Sequence, residues 1–137
     1  MYKRIVSVLI ALIITTTMII PTYAITSNSS GSSCRIKYVS SVATSLTINK
    51  GTAYVGVKVR DAGKKSTKIT VTAYLQKKSG KSWKSIASWT DSTTSNSLTL
   101  NKSKKLSKGR YRVKSVTKAY KGKASETITD YSPEKKY

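Results

Sequence analysis

Histidine and phenylalanine do not occur in this 137-residue chain, cysteine occurs once, proline twice, and only five side chains carry a carboxylate. Without histidine the commonest general base is missing, and with it Ser-His-Asp and Cys-His arrangements and histidine-bound zinc. A single cysteine, Cys34, excludes an intramolecular disulfide, so the fold must stand without a covalent staple. Such a residue can pair between chains, stay a free thiol, or pack as a small side chain near the start of the first strand; the last is expected. With no Phe, the aromatic part of any core must come from tyrosine and tryptophan. No phosphate-binding loop, dinucleotide fingerprint or calcium loop occurs either.

The acids are too few and too scattered for a carboxylate mechanism. Asp61 and Asp91 fall in expected turns, where a carboxylate commonly caps backbone N–H groups. Glu126 and Asp130 lie at even spacing on the expected last strand, so they share a face, and pairing with nearby lysines is the expectation. Cys34 has Arg35 and Lys37 beside it, which favours a thiolate, but it has no histidine to work with. The chain is therefore expected to be no enzyme, with no catalytic residue, cofactor or metal.

What the chain does have is an address and a charge. Lys3 and Arg4 precede an uncharged, mostly aliphatic run from Ile5 to Ile20, followed by Pro21-Thr22-Tyr23-Ala24. This is the layout of a secretory signal, with cleavage expected after Ala24. The rival is a retained anchor, but the run is shorter than the roughly 20 residues a spanning helix needs. Residues 25–35 are a Ser-rich flexible leader, in which Asn28-Ser29-Ser30 matches a glycosylation acceptor. Removing residues 1–24 takes away two cations and no acid, leaving 24 basic side chains against five acids and a net charge of +19. Most of these are lysines, which suit diffuse polyanions better than shape-specific reading of a nucleic acid. The same charge also serves solubility and protection of sheet edges.

Few aliphatics and high charge resemble a disordered composition, but the apolar residues alternate. Ile36–Ile48 holds two short alternating pieces, and Asn49-Lys50-Gly51 is a turn signal. Thr52–Arg60 places Ala53, Val55, Val57 and Val59 on one face, and Lys68–Lys77 does the same with Ile69, Val71, Ala73 and Leu75. Lys77–Lys81 reads as a hairpin loop. Ser82–Thr90 follows, with Trp83, Ala87 and Trp89 expected on one face and Ile86 on the other. After a polar loop at Asp91–Asn96 come strands at Ser97–Lys102, Arg110–Tyr120 and Ala124–Tyr131. About seven short strands, no helical period after residue 24 and roughly 100 residues predict an immunoglobulin-like β-sandwich over residues 36–132, with 133–137 left as a basic C-terminal tail.

The segment Leu106-Ser-Lys-Gly109-Arg-Tyr111-Arg-Val113 resembles the corner before the sixth strand of immunoglobulin and fibronectin type III domains. The resemblance implies that the Tyr111 hydroxyl bonds back to the corner's backbone. The stretch from Tyr74 through Trp83 to Trp89 is similar to a hairpin of small, secreted, uncharacterised proteins from Gram-positive, Clostridia-like bacteria. The paired cysteines of antibody domains are lacking. What these resemblances imply is a fold and an extracellular setting, not a mechanism.

The expected function is accordingly a secreted, basic, non-enzymatic binding or adhesion-type module. It would sit outside the cell, held at the wall by charge, on anionic envelope polymers or a surface protein. No specific nucleic-acid recognition and no membrane span after signal cleavage are expected. A secreted cationic effector, antimicrobial or membrane-disturbing, is the alternative, although no basic amphipathic helix follows the signal. The candidate binding surface comprises Lys58, Arg60, Tyr74, Lys77, Lys78, Lys81, Lys84, Arg112 and Lys114, with Tyr111, Trp83 and Trp89 as structural residues. Trp83 and Trp89, with Tyr74, could instead form an exposed stacking platform; a core place for at least one tryptophan is expected.

Overall fold

Alternating apolar residues bury one face of each strand, and two such faces bury each other. The computed structural model describes residues 37–63 and 65–137; the expected signal peptide, the leader and Cys34 lie outside the described residues. Seven strands follow in chain order: β1 (Val39–Asn49), β2 (Thr52–Asp61), β3 (Lys68–Ser79), β4 (Ser82–Thr93), β5 (Ser97–Lys105), β6 (Arg110–Lys121) and β7 (Ala124–Tyr131). A two-residue eighth, β8 (Lys135–Lys136), ends the chain. All pairings are antiparallel. One sheet has the order β1-β2-β5; the other has the order β4-β3-β6-β7, with β8 also on β6. The fold is thus the all-β sandwich expected from the alternation.

The core lies between the sheets. Val55, Val57 and Leu100 from the smaller sheet meet Ile69, Val71, Leu75 and Val113 from the larger one, all buried. Two-residue turns set several registers. Lys50 and Gly51 both have positive φ (45° and 76°), the conformation that a tight β1–β2 hairpin needs. The two short pieces expected before this turn are in fact one eleven-residue strand, because β2 pairs along almost all of it.

Three further differences have physical causes. Asp91 belongs to β4, not to a loop: its backbone pairs with Val71, and only residues 94–96 separate β4 from β5. The tail is part of the domain. Lys135 and Lys136 pair with Tyr111 and Arg110, and Tyr137 exchanges two backbone hydrogen bonds with Gly109 (2.9 and 3.0 Å). The tryptophans face opposite ways. Ala87 is opposite Leu75 while Ser85 is opposite Gln76, so Ile86 is an extra residue that reverses the alternation. Trp89 therefore packs against the core, opposite Ala73, whereas Trp83 stands on the outer face, opposite Lys78.

Candidate functional site

The five acids decide where positive charge is left free. Asp61 closes the loop after β2. Its carboxylate accepts the backbone N–H groups of Lys65 and Ser66 (both 2.9 Å) and the Ser66 hydroxyl (2.6 Å). Burial pushes this carboxyl up, but the bonds from Ser66, Lys65 and Ala62 together outweigh it and hold it below the usual aspartate value. Asp91 accepts the N–H of Ser92 at 2.8 Å.

Glu126 and Asp130 do not pair with lysines as expected. Both sit on the inward-facing row of β7, opposite Ala119 and Ser115, where the neighbour is the backbone of the N-terminal strand. Glu126 accepts the N–H groups of Lys37 (2.9 Å) and Tyr38 (3.0 Å), and Asp130 that of Thr44 (3.1 Å). The two carboxylates stitch β1 and the two residues before it to β7, with which β1 shares no backbone ladder. Glu134 lies 4.0 Å from Arg110, the one salt bridge among the described residues.

Apart from Glu134 beside Arg110, none of these acids meets the outer face of the larger sheet. Along β6 that face carries Arg110, Arg112, Lys114, Val116, Lys118 and Tyr120 at alternate positions, because the intervening Tyr111, Val113, Ser115, Thr117 and Ala119 are buried. The neighbouring rows are almost neutral. Gln76, Tyr74 and Thr70 on β3 are opposite Arg112, Lys114 and Lys118, and Tyr131 and Thr127 on β7 flank Lys114 and Lys118.

Arg112 is the best held of these cations. Its guanidinium carbon lies 4.4 Å from the Trp83 ring centroid and 4.6 Å from that of Tyr131, and its Nε donates to Gln76 Oε1 at 2.9 Å. Tyr131 is a diagonal neighbour on β7, whereas Trp83 reaches Arg112 from β4 across β3, and both are favourable cation–π contacts. Lys78 Nζ is 5.7 Å from the Trp83 centroid, and Lys118 Nζ is 5.2 Å from that of Tyr120.

The candidate residues therefore do not form one surface. Tyr74, Lys78, Arg112 and Lys114 share the outer face of the larger sheet. Lys58 and Arg60 are on the outer face of the smaller sheet, on the far side of the core, opposite Thr99 and Ser97 of β5. Lys77 and Lys84 face each other on the core-side row of β3 and β4. Lys77 is committed to the corner: its Nζ donates to Ser107 Oγ at 2.7 Å and lies 5.7 Å from the Tyr111 centroid. Lys81 is exposed in the β3–β4 turn. Tyr111 is fully buried, and its hydroxyl donates to the Ser107 carbonyl at 2.5 Å. Arg110 and Lys118, and Lys68 opposite Tyr120 on the outward row of β3, were not among the candidates; the period-two rule applied along β6 to charges as well as apolar residues would have found the first two.

The smaller sheet offers a different outer surface. A shallow depression of about 600 Å³ lies over Gly56, lined by Ser45, Thr47, Tyr54, Asn101 and Ser103 among others. Among the described residues, no three His, Cys, Asp or Glu side chains are grouped as metal ligands, and no helix is long and apolar enough to cross a membrane. The chain matches no protein-family model and no curated protein.

Proposed function

We propose that this is an exported, non-enzymatic binding module that attaches to anionic polymers of the cell envelope through the outer face of the β4-β3-β6-β7 sheet. The observation that carries this reading is the separation of charge. The carboxylates are occupied with loop, strand and tail contacts, while β6 presents Arg112, Lys114 and Lys118 between neutral neighbours, with Arg110 beside Glu134 at the end of the row. A surface of one sign raises the local concentration of its counter-ion and favours polyanions over single anions. Kinship with immunoglobulin and fibronectin type III domains belongs to the same proposal. It is supported by the buried Tyr111 bonded to its own corner and by three strands packed against β4-β3-β6-β7. Those architectures commonly serve as extracellular interaction modules.

Counter-ion release makes such binding fall steeply with salt. The test is adsorption of the protein to isolated envelope polymer across a salt series, with capture from the native cell surface in parallel. Adsorption that is unchanged between low and high salt overturns the electrostatic reading. Release of contents from anionic vesicles at micromolar protein would favour a membrane-disturbing effector instead.

A further inference from the structure

The β6 cations form a ruler as well as a patch. Alternate residues of a strand are about 7 Å apart, so Arg110, Arg112, Lys114 and Lys118 mark out roughly 27 Å with one unoccupied step at Val116, and the exposed Glu134 is the carboxylate that a phosphate would displace from Arg110. Arg112 differs from the rest in being fixed in place. The Trp83 and Tyr131 rings both lie against it and Gln76 holds its Nε, while its two terminal nitrogens donate to no acceptor among the described residues. A guanidinium held this way presents a forked pair of donors, which matches two oxygens of a phosphate group.

We infer that this row binds a linear phosphodiester polymer of polyol units, with Arg112 gripping one phosphate and Arg110, Lys114 and Lys118 meeting its neighbours. This deepens, and rests on, the polyanion reading above. Phosphodiesters bridged by three-carbon polyols repeat at about the strand's two-residue step of ~7 Å when extended. A single-stranded nucleic acid has phosphates too, but it gains much of its affinity by stacking bases on open aromatic faces. Here Trp83 and Tyr131 are already stacked on Arg112, and Tyr120 lies beneath Lys118. The rings are engaged in holding cations, which suits a chain without bases.

The experiment measures dissociation constants of the full chain for a synthetic glycerol phosphate oligomer, for poly(dT) of equal charge and for a sulfated polysaccharide, at one fixed salt concentration. Arg112→Lys keeps the charge and removes the fork; it should weaken the glycerol phosphate oligomer about tenfold, as loss of a bidentate charge-assisted contact does. Lys114→Gln/Lys118→Gln, which leaves the Arg112 clamp intact, should weaken it further. Lys58→Gln/Arg60→Gln removes the same charge from the far sheet and should change it less than about threefold. Equal binding by wild type and Arg112→Lys, or an equal loss in the far-sheet variant, overturns the inference while leaving general polyanion binding standing. Tighter binding of poly(dT) than of the glycerol phosphate oligomer overturns it in favour of nucleic acid. If wild type binds none of the three polymers, the polyanion reading falls as well. Melting curves of each variant check that the fold is retained.

Discussion

The Tyr111 hydroxyl donates to the carbonyl of Ser107, four residues back, at 2.5 Å, from a side chain with no solvent exposure. One bond thus ties the start of β6 to the loop that precedes it. Tyr111→Phe keeps the ring and leaves that carbonyl without its partner. We expect a loss of about 1–2 kcal/mol, read as a lower thermal or urea midpoint with an unchanged fold.

Thr117 is the opposite case. Its hydroxyl is buried on β6, and its Oγ1 has no hydrogen-bond partner among the described residues. Burying an unpaired hydroxyl costs free energy that valine, with the same shape, does not incur. Thr117→Val should be neutral or raise stability by about 1 kcal/mol, and denaturant unfolding will show it; a clear loss would mean that the hydroxyl does have a partner.

The Glu126 half of the stitch can be removed while Asp130 still holds Thr44. Glu126→Ala removes the acceptor for the N–H groups of Lys37 and Tyr38. Amide hydrogen exchange at Tyr38 should speed up, with little change in the core amides of β3 and β6. Exchange left as slow as in wild type would show that the carboxylate does not hold the strand.

Asp61 makes stability depend on pH. Its folded-state pKa is depressed, so its contribution is complete above the unfolded value of about 4 and is lost as the pH falls through the folded one. Between pH 5 and pH 2 the wild type should therefore lose more stability than Asp61→Asn. Parallel pH profiles of the two proteins would contradict this.

The two tryptophans should respond differently to removal. Trp89→Ala opens space beside the core, against which this side chain is partly buried, and should cost about 2–3 kcal/mol. Trp83→Ala removes one of the two rings against Arg112 and should cost less, while weakening polyanion binding. Unfolding curves and binding on the same pair of variants separate the two roles.

Strands, turns and core were legible because apolar and polar residues alternate over β2, β3 and β6, and each reading depended only on near neighbours. The bulge at Ile86 was not legible. Nothing in Ser82–Thr90 marks the extra residue; it shows only when β4 is laid against β3, and it moves Trp83 to the other face. The roles of Glu126 and Asp130 were hidden for a related reason. Their partners are backbone groups about ninety positions away, and a backbone N–H leaves no mark in the letters. Charge was visible as a total, but its division between two sheets became visible only with strand order.

The stitch at Glu126 also sets how the molecule would carry tension. Suppose a load enters through the larger sheet at β6 and leaves through the chain at Lys37. It passes from β6 to β7 through backbone pairing, and then across a single carboxylate to the backbone of Lys37 and Tyr38. Hydrogen bonds pulled in succession fail one at a time, so this corner is where the domain would begin to peel, with the core still closed.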